Sequence, residues 1–124
     1  MVMNDLTVMI VDDSKLMRTM LTKILESSDY KVVAVLEDGF ELLEKYAQIK
    51  PDLVLLDVIM PKMNGLEALE LLLAKEPDAS VIIVTSAGKE ANVIKAHELG
   101  AKNFIIKPFD RDKVIEIIDQ VMSN

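Results

Sequence analysis

Apolar residues arrive in five short runs along the chain: Val8-Met9-Ile10-Val11, Val32-Val33-Ala34-Val35, Leu53-Val54-Leu55-Leu56, Val81-Ile82-Ile83-Val84 and Phe104-Ile105-Ile106. They are continuous rather than alternating and, taken together, rich in β-branched residues, which predicts strands buried on both faces. Between the runs the spacing turns helical. Ser14 to Ser27 sets Leu16, Met17, Met20, Leu21, Ile24 and Leu25 along one broad stripe. Gly39 to Lys50 does the same with Phe40, Leu43 and Ala47 and is ended by Pro51. Asn64 to Lys75 carries Leu66, Leu69, Leu72 and Leu73, and Pro77 closes it. Glu90 to Leu99 stops at Gly100, a residue suited to the position just past a helix. Arg111 to about Ser123 carries Val114, Ile117, Ile118 and Val121. Strand and helix thus alternate five times, an α/β pattern that predicts a parallel sheet with helices on both faces.

The 124 residues suit one domain, with 51% hydrophobic and 28% charged residues, enough apolar surface for a single core. The apolar runs are too short for a membrane span, and Asn4 and Asp5 interrupt the N-terminus before any signal-like stretch forms. With no cysteine, disulfides and thiolate metal sites are excluded. A cytoplasmic setting is expected. The net charge of −7 lacks the basic footprint that binding a phosphate backbone requires, so direct nucleic-acid binding is not expected. A protein partner or a divalent cation fits the acidity better.

Polar residues able to do chemistry stand at the C-terminal ends of four of the runs. Strand one ends in Asp12-Asp13, strand three in Asp57, strand four in Thr85-Ser86 and strand five in Lys107-Pro108. In a parallel sheet all the C-terminal strand ends share one edge, where ligands of such folds bind. Each group has an ordinary use of its own: Asp12, Asp13 and Ser14 as helix caps, Asp57 and Thr85 in turns, Lys107 as a solvated lysine. Four segments delivering these groups to one edge is the informative coincidence. Three crowded carboxylates repel one another, and a hard cation such as Mg²⁺ removes that penalty. A phosphoryl group on one carboxylate would also employ a hydroxyl and an ammonium. Asp57 stands alone after the most apolar strand and is the candidate nucleophile, while Asp12 and Asp13 suit the metal.

These residues carry a resemblance. Val11-Asp12-Asp13-Ser14, Asp57-Val58-Ile59-Met60-Pro61-Lys62-Met63-Asn64-Gly65, Thr85-Ser86-Ala87 and Lys107-Pro108-Phe109 resemble the receiver domain of two-component response regulators, over nearly the whole chain. The resemblance implies a single (βα)5 flavodoxin-like domain across residues 1–124, with no output domain. The strand order 2-1-3-4-5 is taken from that fold class, not read from the residues. It further implies that Asp57 accepts a phosphoryl group from a sensor histidine kinase. Asp13, Asp57 and the main-chain carbonyl of Ile59 would ligate Mg²⁺, with Asp12 acting through water. Lys107 would pair with the phosphoryl group, Thr85 would move toward it, and Phe104 would change rotamer with Thr85. The Lys107-Pro108 peptide would be cis. Ile59 and Ala87 offer no group to orient an attacking water, which implies moderate to slow self-dephosphorylation.

The expected role is a phosphorylation-activated switch rather than a classical enzyme, although it would catalyse its own phosphorylation and dephosphorylation. Chemotaxis-type receivers that bind a flagellar motor switch protein fit first, through Asp12-Asp13-Ser14-Lys15-Leu16-Met17-Arg18. A phosphorelay intermediate serving a histidine phosphotransferase is second, and the receiver of a larger transcriptional regulator third. An aspartate-nucleophile phosphatase would want a second aspartate where Ile59 stands. A flavin protein would want a hydroxyl- and glycine-rich loop where Asp12-Asp13 stands. His97, the only histidine, is expected to face solvent.

Overall fold

The computed structural model describes residues 6–60 and 63–123, so Asn4, Asp5, Pro61 and Lys62 lie outside the described residues. Strands β1 (Thr7–Val11), β2 (Lys31–Leu36), β3 (Leu53–Asp57), β4 (Val81–Ser86) and β5 (Asn103–Lys107) alternate with helices α1 (Lys15–Glu26), α2 (Gly39–Ile49), α3 (Gly65–Lys75), α4 (Glu90–Leu99) and α5 (Arg111–Ser123). All strand pairs are parallel, in the order β2-β1-β3-β4-β5. The fold class and the order taken from it both hold.

Alternation along each central strand splits the core in two. Val8, Ile10, Leu53, Leu55, Ile82 and Val84 point to one face, against Leu21 and Leu25 of α1 and Val114, Ile117 and Ile118 of α5. Met9, Val11, Val54, Leu56, Val81 and Ile83 point to the other, against Leu42 and Tyr46 of α2, Leu69 and Leu72 of α3 and Ala96 of α4. Each such side chain is worth about 1.5–3 kcal/mol when fully buried. These two layers hold β1, β3 and β4 rigid, and their C-terminal ends carry the chemistry.

Three expectations need correction. The apolar runs of β2 and β5 are not buried on both faces, because these are the edge strands: Val35, Phe104 and Ile106 are exposed. An edge strand has a neighbour on one side only, so part of its surface meets no helix. Leu16, in the first turn of α1, leaves the stripe and is exposed, the helix burying Leu21 and Leu25 instead. In α2 the buried face is Gly39, Leu42 and Tyr46, with Leu43 at its border; Phe40 and Ala47 face solvent. Two apolar stripes about one residue apart compete in that helix. The chosen one seats Gly39 where an added Cβ would lie 2.9 Å from both Ala68 Cβ and Met63 Sδ.

Helix starts are set by local chemistry. Ser14 Oγ accepts the Met17 amide at 3.3 Å, the Asp38 carboxylate accepts the Glu41 amide at 3.0 Å, and Asn64 Oδ1 accepts the Leu66 amide at 2.6 Å. At the end of α2, Lys50 adopts a left-handed conformation with φ 48°, the only such non-glycine among the described residues. A Cβ there costs about 1–2 kcal/mol. Lys50→Gly is therefore expected to stabilise the fold by about 0.5–1 kcal/mol after the greater freedom of the unfolded glycine is subtracted. Urea denaturation would check this; unchanged or lower stability would contradict it.

Candidate functional site at the carboxyl edge of the sheet

Strand register brings the four segments together. Asp57 pairs with Val84, so Thr85 comes one residue beyond it, and Lys107 pairs with Ser86. Val11 pairs with Leu56, which sets Asp12 beside Asp57. Asp12, Asp57 and Thr85 are the buried polar residues of the described chain. Carboxylate oxygens of Asp12, Asp13 and Asp57 all lie within 4.8 Å of one another, with Asp13 at the exposed rim. Lys107 Nζ lies between two of them, 3.4 Å from Asp12 Oδ2 and 3.6 Å from Asp57 Oδ1. The Lys107-Pro108 peptide is cis.

This crowding sets the electrostatics. Three carboxylates face one ammonium. The Asp57 carboxyl is pushed up to about 7, first by burial and then by the Asp12 charge; Lys107 and the Ile59 amide pull it back, and Asp13 raises it slightly. Neutral pH therefore finds Asp57 poised between its two forms. All-oxygen donors in a partly desolvated cluster suit a hard cation such as Mg²⁺. Its charge would oppose the repulsion that holds Asp57 up.

Thr85 supplies a second sign of an incomplete site. Its Oγ1 is buried and has no hydrogen-bond partner among the described residues. A buried hydroxyl left unpaired costs about 1–3 kcal/mol, so Thr85 Oγ1 is a donor suited to an acceptor at this edge. Thr85 also lines a cavity of about 290 Å³ with Ile94 of α4 and with Phe104 and Ile106 of β5. Phe104 itself points outward and is 37% exposed. Thr85 and Phe104 thus line one space.

Some contributors are invisible in the sequence. Arg18 Nη1 donates to the Asp12 carbonyl at 2.8 Å, and the Ser14 amide donates to Asp12 Oδ1 at 2.8 Å. The only cue to Arg18 is a cation one turn into the helix after two aspartates. Gly65 belongs to the motif after Asp57, but its role emerges only from packing. Its amide donates to the Val58 carbonyl at 2.6 Å, and an added Cβ would lie 2.2 Å from the Asp57 carbonyl oxygen. His97 is exposed and remote from the cluster in sequence and fold.

Residues 8–119 match the family model described as "Response regulator receiver domain". The chain belongs to that family. This receiver is 47% identical over 115 residues to the chemotaxis protein CheY of Listeria monocytogenes, covering 93% of this chain and 97% of the relative. It is 41% identical over 114 residues to CheY of Thermotoga maritima, covering 92% and 95%. Among solved structures, the CheX-CheY-BeF3-Mg complex from Borrelia burgdorferi contains a chain that it matches with a TM-score of 0.90 and 37% identity, over 94% of this chain and 88% of that one. The response regulator domain of Thermotoga maritima CheB matches with a TM-score of 0.89 and 39% identity, over 97% and 98%. This receiver is closely related to CheY proteins of chemotaxis, within two-component signal transduction. No helix among its described residues is long and apolar enough to cross a membrane.

Proposed function

We propose that this receiver is a phosphorylation-activated switch in chemotaxis or motility, with Asp57 as its phosphoacceptor. The observation that carries the reading is a buried carboxylate held 3.6 Å from the Lys107 ammonium, beside two further aspartates and a threonine hydroxyl with no partner. An Asp57 oxygen attacks the phosphorus of a sensor kinase's phosphohistidine. The new P–O bond forms as the P–N bond breaks, and its electron pair leaves with the imidazole. Asp13, Asp57 and the Ile59 carbonyl, with Asp12 acting through water, would hold Mg²⁺, which would supply positive charge against the carboxylates and the phosphoryl oxygens. Lys107 already sits at the acceptor and neutralises charge that develops there. The Thr85 hydroxyl gains the acceptor it lacks by moving toward the phosphoryl group. That movement changes the cavity it shares with Phe104.

The signal then leaves through the face formed by α4, β5 and α5, where Ile94, Phe104 and Ile106 are exposed. A flagellar motor switch protein is the partner that the CheY relatives favour, with a histidine phosphotransferase the next. The setting is cytoplasmic, and turnover is confined to the receiver's own Asp57. Ile59 is exposed beside the acceptor and Ala87 stands two residues beyond Thr85, so neither orients water for hydrolysis.

Incubation with acetyl phosphate and Mg²⁺, read by intact mass, tests this. The wild type should gain about one phosphoryl group. Asp57→Ala should gain none, and Lys107→Ala should gain less in the same time, having lost the ammonium beside the acceptor. Labelling that persisted in Asp57→Ala would move the acceptor elsewhere. No adduct from acetyl phosphate or a phosphohistidine donor, with Mg²⁺ still bound, would make this a phosphorylation-independent interaction module.

A further inference from the structure

Asn64-Gly65 is the one Asn-Gly pair in the sequence, and it lies at the turn from the acceptor strand into α3. Asparagine before glycine is the dipeptide most open to intramolecular attack, because glycine has no side chain to hinder its amide. Position 65 has no alternative to glycine, since a Cβ would lie 2.2 Å from the Asp57 carbonyl oxygen. The chemical lability therefore rests on the choice of asparagine at 64.

The folded geometry holds the reaction back. The attacking atom would be Gly65 N, whose hydrogen is bonded to the Val58 carbonyl at 2.6 Å. The amide under attack is fixed as well, its Oδ1 accepting the Leu66 amide at 2.6 Å. Asn64 has ψ 141°, which turns Gly65 N away from the side-chain carbon it must reach. Both hydrogen bonds must open together before the ring can close, and that is a local unfolding of the α3 start.

We infer that Asn64 is a spontaneous modification site whose rate is set by opening of the start of α3, and whose isoaspartate product disables the acceptor. Gly65 N, losing its proton to hydroxide, bonds to the Asn64 side-chain carbon, and ammonia leaves. Water then opens the five-membered imide at either carbonyl. One opening yields aspartate with the backbone unchanged, still a good cap for α3. The other yields isoaspartate, which routes the main chain through the side-chain methylene and adds one backbone atom before Gly65. Gly65 has no slack for it, packed as it is on Asp57 and Val58. The two products of one reaction thus have opposite consequences.

The test holds the full chain at pH 8 and 37 °C, folded or in urea, with Asn64→Ser as the variant that keeps a cap but cannot cyclise. The peptide 63–75 is monitored for a gain of about 1 Da and for isoaspartate by methyltransferase labelling. Gain is expected in both wild-type samples, about tenfold or more slower when folded, and absent at that peptide in Asn64→Ser. Aged wild type should lose acetyl phosphate labelling in proportion to isoaspartate, relative to its own fresh sample. No gain in urea would remove the site, and equal rates in the two states would remove the structural lock. Isoaspartate protein that labels normally would overturn the consequence. Only that last readout rests on Asp57 as acceptor; the mass gain does not, so failure of one reading is told apart from failure of the other.

Discussion

Asp57→Asn is expected to stabilise the metal-free receiver at pH 8, by about 1–2 kcal/mol, or an unfolding temperature about 4–8 °C higher for a chain of this size. The reason is the cost of ionising Asp57 where it sits. Burial and the Asp12 charge lift its carboxyl to about 7, against about 3.9 in an unfolded chain. A raised carboxyl pKa means the folded state binds its proton more tightly. Below about pH 4 both states are protonated and the penalty vanishes. Between about 4 and 7 the unfolded chain ionises while the folded one resists, so stability drains away as pH rises. Above 7 the full penalty is present. Wholly realised, that difference would be about 4 kcal/mol; residual solvent access and relaxation around the site reduce it. Asparagine keeps the shape and removes the charge. The gap between variant and wild type should therefore be near zero at pH 4, grow to pH 7 and then level off. Thermal melts across pH 4–9 with a chelator present would read it. Added Mg²⁺ should narrow the gap by stabilising the wild type. A wild type as stable as Asp57→Asn at pH 8, or a gap independent of pH, would mean that Asp57 is not under the strain described.

The membership of the candidate site was more legible in the sequence than its mechanics. Asp12, Asp13, Asp57, Thr85 and Lys107 each stand at the end of an apolar run, and parallel pairing carries every run's end to the same edge. One-dimensional order is sufficient for that. The central strands were equally plain, because β1, β3 and β4 have neighbours on both sides and carry the apolar runs Val8–Val11, Leu53–Leu56 and Val81–Val84, all buried. At the edges the same signal misleads. Phe104 and Ile106 belong to an apolar run, yet their strand has a neighbour on one side only, and a sequence does not say which strands are edges. In α2 the periodicity admitted two stripes, and the choice between Leu42–Tyr46 and Phe40–Ala47 depends on where Met63 and Ala68 of a later segment arrive. The missing partner of Thr85 Oγ1, the Arg18 bond to the Asp12 carbonyl and the tight seat of Gly65 are all three-dimensional facts. No local pattern encodes them.

The seat of Gly65 leads to the largest structural effect. Ordinarily, replacing glycine by alanine within a helix gains up to about 1 kcal/mol. Here the sign should reverse. An added Cβ would lie 2.2 Å from the Asp57 carbonyl oxygen, 2.6 Å from Val58 Cα and 2.8 Å from the Val58 carbonyl oxygen, and all three are main-chain atoms. No side chain can rotate away, so either α3 lifts off the sheet or the end of β3 is displaced. Lifting α3 uncovers Leu69 and Leu72, which are buried against the core, and breaks the 2.6 Å bond from the Gly65 amide to Val58. Gly65→Ala should therefore cost about 3 kcal/mol in urea denaturation. The neighbouring Gly39→Ala provides the contrast. Met63 Sδ at 2.9 Å is the flexible end of a side chain and can move, while Ala68 Cβ at 2.9 Å cannot rotate away, so an intermediate cost of about 1–2 kcal/mol is expected there. The folded fraction of Gly65→Ala should also accept phosphate from acetyl phosphate poorly, because the shift acts directly on the backbone of Asp57. A loss below about 1 kcal/mol with normal labelling would show that the turn has room that its packing denies. A large loss of stability with normal labelling of the folded fraction would instead place the displacement in α3, leaving β3 where the sheet holds it.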